Sequence, residues 1–353
     1  MTAGMRPLRL GTRGSELALW QARRVAELIA RQPGAPSVEL VRIRTEGDAR
    51  TDIPLWQAGG RAFFTREIDR AVLAGEVDAA VHSLKDLGTG LEDGLVLAAV
   101  LEREDPRDAL LVRPDVAMNA ASSASPLSAL PVGARVGTSS LRRRAFVARA
   151  RRDLTLDELR GNVPTRIARL AEGRFDAIVL AAAGVKRLGL DRHVTAYLPP
   201  REFPPAVSQG AIGVVSREAD VESARWLHPL DHAAARIEAT AERALLRRLG
   251  GGCQVPLGAL ARLENGRLTL LASVCALNGS ESITVEGGAD AGPLSDAAAG
   301  PPSDAANGLP PPAVMTARER AVELGERLAD ELLAKGAARI IARQRAPAAV
   351  EPP

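Results

Sequence analysis

Apolar and polar positions alternate along the chain in a recurring order of short strand, small-residue turn and amphipathic helix. Leu8-Arg9-Leu10-Gly11 predicts a strand, and Ala18, Ala22, Val25 and Ile29 follow at helical spacing behind Ser15, an N-cap with Glu16 in the first turn. A second strand is expected over Val38–Arg44, a helix from about Thr65 to Leu73, and buried strands over Asp78–Ser83 and Leu95–Leu101. The charged, proline-interrupted run Glu102–Asp108 reads as a hinge. Beyond it lie strand-like Leu110–Val112, a loop over Met118–Pro131, and Arg135-Val136-Gly137 running into a helix that opens at Thr138-Ser139-Ser140. Leu159–Arg166 opens another helix, with Ile167 and Leu170 on its apolar side, and Ala177–Ala183 is expected as a buried strand.

Leu198–Pro205, with four prolines, closes this second unit, and Ala206–Val215 offers a turn and a strand. The chain thus crosses twice between two α/β lobes, expected at 1–102 with 211–229 and at 106–205, an arrangement that opens and closes around a ligand. The remainder, 231–353, reads as a third domain. Its first helix carries Ile237, Ala241, Ala244, Leu245 and Leu249, with Gly250 as C-cap. Strands are expected at Ala259–Leu263, Leu268–Val274 and Glu281–Glu286, and a closing helix carries Val322, Ala329, Leu332 and Leu333. Residues 288–313, dominated by Ala, Gly, Pro, Ser and Asp, are expected to form a mobile loop.

Composition narrows the chemistry. With 353 residues, 46% hydrophobic and 25% charged, the chain is an ordinary globular protein of two or three domains. No apolar run reaches membrane-spanning length, and the first residues lack a signal-peptide core, so a short cytoplasmic tail is expected. Cys253 and Cys275 are its two cysteines and form no CxxC unit. His228 and His232 have metal-pair spacing, but Pro229 sets His228 outside the helix, and no metal is expected. The net charge is +3, yet Lys85, Lys186 and Lys335 are the only lysines, so arginine carries the positive charge. Arginine grips carboxylate and phosphate with two donors, which points to an anionic ligand.

Candidate sites follow. Arg13, in the turn before a helix N-terminus, suits an anion, as do the arginines after Thr138-Ser139-Ser140 and around Leu159–Arg166. Lys85-Asp86 stands at the carboxyl end of a strand, where ligands gather in open α/β sheets. Cys253 follows Gly250-Gly251-Gly252 on a loop that lets a bulky group approach its sulfur, with Arg247 and Arg248 favouring the thiolate. Taken singly, these features also fit a small buried thiol, a two-lobe anion-binding protein, or, through Arg142–Arg144 and Arg149–Arg152, a nucleic-acid binder. Near-balanced acids and 3% aromatic content weigh against the last.

Taken together and in order, Thr12-Arg13, Val81–Asp86, Arg103–Asp108, Gly137–Arg143, Leu159–Asn162 and Gly251–Pro256 resemble the porphobilinogen deaminase (hydroxymethylbilane synthase) family over essentially the whole chain. The resemblance implies two periplasmic-binding-protein-like α/β lobes on a double hinge and a smaller α/β domain. It implies a dipyrromethane cofactor held by a thioether to Cys253, and growth of a polypyrrole from porphobilinogen with loss of ammonia. Carried over, Asp86 is the catalytic carboxylate, and Ser83, Lys85, Asp86, Thr138, Ser139, Ser140, Arg142, Arg143 and Gly161 contact the cofactor. Arg13, Ser15, Phe64, Arg160, Arg166 and Gln209 contact substrate. A cytoplasmic monomer without metal, nucleic acid or membrane partner is implied. The chain departs from the family pattern at Arg61, usually lysine, at Ser208, usually glycine, and in the length of 288–313.

Overall fold

Local signals place the first elements. Ser15 Oγ accepts the Ala18 amide at 3.3 Å and caps a helix that buries Leu19, Ala22, Val25 and Ile29. Ser140 and Asn162 cap two further helices in the same way. A computed structural model describes residues 6–49, 64–119, 125–250, 255–292 and 315–345. Cys253, its neighbours Gly251, Gly252 and Gln254, and Arg61 lie outside these residues.

In chain order the strands are β1 (Leu8–Thr12), β2 (Val38–Arg42), β3 (Ala79–Ser83), β4 (Leu95–Val100), β5 (Asp108–Val112), β6 (Arg135–Gly137), β7 (Thr155–Asp157), β8 (Ala177–Ala181), β9 (Ala196–Tyr197), β10 (Ile212–Arg217), β11 (Leu257–Glu264), β12 (Arg267–Cys275) and β13 (Ser282–Asp290). The helices are α1 (Glu16–Ala30), α2 (Glu46–Ala49), α3 (Arg66–Leu73), α4 (Leu141–Ala150), α5 (Val163–Ala171), α6 (Ala182–Arg187), α7 (Val221–Leu227), α8 (Ala233–Arg248), α9 (Ala317–Ala334) and α10 (Ala337–Arg345).

These strands form three sheets. The first has the order β2-β1-β3-β10-β4, the second β7-β6-β8-β5-β9, and the third is the antiparallel β11-β12-β13. Strand β10 returns from the far side of the second sheet and runs antiparallel between β3 and β4. The first two sheets are therefore linked by two chain crossings, one before β5 and one before β10.

The third unit leans on both lobes. Helix α8 packs on α9 and β11, while Ala235 and Ala239 near its start belong to the apolar core around Ile68, Val72 and Leu84. Cys275, at the end of β12, is buried in the core around Phe146 and Val147 of the second lobe. One carboxylate joins the crossings: Glu242 of α8 takes Arg103 at 2.7 Å, the Ser208 amide at 2.6 Å and the Ala261 amide at 2.8 Å.

Several boundaries differ from the sequence reading. Strand β13 pairs with β12 as far as Asp290, so residues 288–290 are strand and not loop, because Arg267–Thr269 offer backbone partners out to that point. Residues 293–314 lie outside the described residues. The run from Ala177 ends as strand at Ala181 and turns directly into α6, and β5 begins earlier than expected, at Asp108. Strand β2 stops at Arg42. The closing helix is two helices parted at Gly336, whose φ of 98° suits glycine. His228 stands in a short 3₁₀ turn, and His232 caps α8 through its Nδ1. Among the described residues no helix is long and apolar enough to cross a membrane.

Candidate functional site

Strand β3 ends at Ser83, and the chain tightens at once into a 3₁₀ turn over Leu84–Asp86. Fully buried Leu84 pins this turn, and its amide donates to Ala211 O at 3.0 Å, beside the second crossing. Lys85 and Asp86 are thereby held, both half-buried, at the carboxyl end of the strand. Lys85 borders an open cleft whose wall also includes Gln21, Ser83, Arg143, Arg166 and Arg187, and Asp86 stands next to Lys85 in the turn, outside that lining. The cleft's cations come from separate elements: Lys85 from the first lobe, Arg143 from the start of α4, Arg166 from the first turn of α5, and Arg187 from the end of α6.

Burial of the cations in this wall sets the electrostatics, with like charge crowded beside Lys85 and Arg166. Burial pulls Lys85 down to about 8, opposed by Asp86 and reinforced by Arg143. Burial brings Arg166 down to about 10, with Arg143 pushing the same way, and brings Arg187 down to about 10 against the pull of Glu104. A site that strains to hold its own positive charges gains most from an anion that neutralises them. Carboxylates are the matching ligand class.

The other expected contacts divide into several groups. Arg13 lies over the Phe64 ring, 4.2 Å from its centre. Arg166 Nε donates to Gly161 O at 2.7 Å, and Gly161 itself takes φ +104°, a conformation that side chains disfavour. Half-buried Arg160 accepts Arg169 on its carbonyl. Ser15 and Ser140 spend their hydroxyl oxygens on helix caps, Thr138 accepts the Ser140 amide, and buried Ser139 donates to Leu159 O.

Arg142 is held beside Arg143 on a shared buried partner. Its guanidinium donates to Asp108 Oδ2 at 2.6 Å and to Pro204 O at 2.6 Å, because Asp108 is fully buried and two arginines, Arg142 and Arg143, compensate it. Burial alone would raise Asp108, but these arginines, with Gln209, hold it below the ordinary carboxylate range. Gln209 joins the same cluster. It donates to Pro106 O at 2.8 Å and Asp108 at 3.0 Å, and accepts Lys85 at 3.4 Å. Arg248 pairs with Asp330 at the end of α8.

Sequence reasoning passed over Gln21, Arg187 and Asp108. Gln21 bonds Ser83 at 2.9 Å and lines the cleft. Its signal was a polar residue beside Ala22 on the buried face of α1. Arg187 donates to Gly210 O at 2.6 Å and lies 5.7 Å from the Trp20 ring centre. Asp108 was read as part of a hinge, and nothing local marks it as the hub of buried charge.

Two family models match the chain. One described as "Porphobilinogen deaminase, dipyromethane cofactor binding domain" covers residues 8–225, and "Porphobilinogen deaminase, C-terminal domain" covers 236–300. A porphobilinogen deaminase of Syntrophomonas wolfei subsp. wolfei is 42% identical over 341 residues, 97% of this chain and 100% of that one. Those of Roseiflexus sp. (strain RS-1) and Roseiflexus castenholzii are 48% and 50% identical, over 81% and 77% of this chain and 91% and 87% of theirs. Among solved structures, the alkanesulfonate-binding protein SsuA from Xanthomonas axonopodis pv. citri overlaps 70% of this chain and 76% of its own at 15% identity and a TM-score of 0.34, too slight a likeness to argue from.

Proposed function

Because the chain belongs to the porphobilinogen deaminase family, and so joins porphobilinogen units into a linear tetrapyrrole on a dipyrromethane cofactor, we propose a division of that work among its cleft residues. The donor set fits such a cofactor. Two pyrroles carry four carboxylates, and Lys85, Arg143, Arg166 and Arg187 line the cleft with desolvated positive charge. When bound, the dipyrromethane supplies the nucleophilic pyrrole carbon from which the chain grows.

Lys85, Arg143 and Arg166 hold carboxylates of cofactor and growing chain, while Arg13, Arg160 and Phe64 receive the incoming unit. Asp86 does the chemistry. As the substrate's aminomethyl C–N bond breaks and ammonia leaves, the pyrrole nitrogen feeds its electron pair into the ring and a cationic methylene-pyrrole forms. A nearby carboxylate stabilises that cation in a cleft otherwise hostile to it. Asp86 then accepts the α-proton lost as the new carbon–carbon bond closes, which returns the ring to neutrality.

Cys253 is the tether in this reading. Support comes from α8, which ends at Arg248 before Gly250 turns the chain at φ +62°, a few positions ahead of Cys253 in the sequence. The finer reading is of a cytoplasmic monomer acting without nucleic acid or membrane, which sedimentation and fractionation test.

One observation carries the proposal: Lys85 borders an arginine-lined cleft at a strand end, with Asp86 beside it in the same short turn. Intact mass tests the tether. The purified enzyme should exceed its sequence mass by one dipyrromethane, and Cys253→Ser should lose that excess and the activity together. Asp86→Asn should keep the added mass and lose most turnover. A fully active protein at bare sequence mass sinks the tether, and normal turnover in Asp86→Asn sinks the carboxylate's role.

A further inference from the structure

The turn that carries Asp86 is fastened on both sides. Ahead of it the Leu84 amide is held by Ala211 O. Behind it, Arg243 of α8 donates through Nη1 to Leu87 O at 3.1 Å and through Nη2 to Gly88 O. One planar guanidinium thus grips two successive carbonyls directly after the proposed catalytic carboxylate. Leu87 is itself buried, in the same apolar cluster as Ala235 and Ala239 of α8.

The helix that makes this grip is itself immobilised. Glu242, the preceding residue, is buried and bonded to Arg103, the Ser208 amide and the Ala261 amide. Arg236, two turns earlier, donates to Leu97 O and Ala98 O in the first lobe. Helix α8 ends at Arg248, a few residues before Cys253. The same helix therefore touches the carboxylate turn and ends a few sequence positions ahead of the proposed tether.

We infer that Arg243 is a positioning residue, setting the reach between the Asp86 carboxylate and a chain anchored beyond the end of α8. The inference rests on the reading of Asp86 and Cys253 given above. Arg243 is half-buried, and its bonds to Leu87 O and Gly88 O are part-buried, so water replaces the lost donors when the guanidinium is removed and stability changes little. Geometry is less forgiving, since displacement of a reacting group by about 1 Å costs up to about 100-fold in rate.

The test uses the cofactor-loaded enzyme with Arg243→Met, which keeps the aliphatic stem, Arg243→Gln as a second truncation, and Arg243→Lys as the conservative exchange. The Met and Gln variants are expected to keep the cofactor mass and a KM within about twofold, while kcat falls about 10- to 100-fold. Arg243→Lys recovers part of that loss. Amide exchange supplies a readout apart from activity: the Leu87 amide, bonded to Leu84 O at 3.2 Å, exchanges faster in the Met and Gln variants. A folded, loaded Met or Gln variant with wild-type kcat and wild-type Leu87 exchange overturns the inference, as does a loss that appears only in KM or only in cofactor content. If Asp86→Asn is inactive while Arg243→Met is normal, the positioning role alone fails. If Asp86→Asn turns over normally, the reading and this inference fall together.

Discussion

Arg103 and Glu242 meet in two parallel hydrogen bonds, Nη1 to Oε1 at 2.7 Å and Nη2 to Oε2 at 3.1 Å, with both side chains buried. Arg103 lies in the first crossing between the lobes, and Glu242 also accepts the Ser208 amide from the second. A single carboxylate on α8 therefore holds both strands of the hinge. Removing one member of such a pair leaves the other charged and desolvated, so Glu242→Ala should lose about 3–5 kcal/mol of unfolding free energy. Urea titration measures it, and a loss below about 1 kcal/mol would show the pair to be incidental.

Ser208 is strained twice. It adopts φ 60°, and its buried hydroxyl has no hydrogen-bond partner among the described residues. Left-handed backbone costs a side-chain-bearing residue about 1–2 kcal/mol, and glycine escapes most of that. Ser208→Gly keeps the amide that Glu242 accepts and should stabilise the protein by about 1 kcal/mol after the entropy that glycine adds to the unfolded chain. The denaturation midpoint should rise with an unchanged slope. Ser208→Ala keeps the backbone strain and should gain less.

Lys85 makes stability depend on pH in a stated direction. Burial brings it to about 8 in the folded chain against an ordinary 10.5, so between those values the unfolded state binds the additional proton. Folding therefore gains as pH rises through this window, and below it the buried ammonium is a constant cost. In a cofactor-free Cys253→Ser background, Lys85→Met should be more stable than its parent near pH 7, and the advantage should shrink by about pH 10. An advantage that grows with pH would contradict the buried ammonium.

Cys275 supplies an internal control for the tether. Its thiol is buried in the second lobe's core, and burial pushes it up to about 11, so it resists alkylation in the native protein. With Cys253 occupied by a thioether, the folded enzyme should show no fast-reacting thiol and the denatured enzyme only Cys275. Two reactive thiols after denaturation would mean that Cys253 is free.

Much of the cleft's local grammar was readable in advance. Ser15, Ser140 and Asn162 accept amides three residues on, and Gly250 takes a positive φ just past α8. These are short-range events within one turn of chain, so residue type and spacing suffice to announce them. The run Asp78–Ser83 announced a buried strand delivering Lys85 and Asp86 beyond its carboxyl end for the same reason. Harder to see was the fate of each arginine, since Arg13, Arg142 and Arg143 all follow small-residue turns in similar ways. Arg142 and Arg143 both turn to Asp108, Arg142 donating also to Pro204 O and Arg143 also bordering the cleft.

The sequence by itself determined where the capped helices begin, which strand carries the acid, and which ligand charge the arginines call for, because each depends on neighbours a few residues apart. Tertiary structure alone decided that Asp108 gathers Arg142, Arg143 and Gln209, that β10 returns between β3 and β4, and that Arg243 grips the turn after Asp86 from 155 and 156 residues away. Those partners are far apart in sequence and meet only when distant segments pack against one another, which settles the charge that each buries.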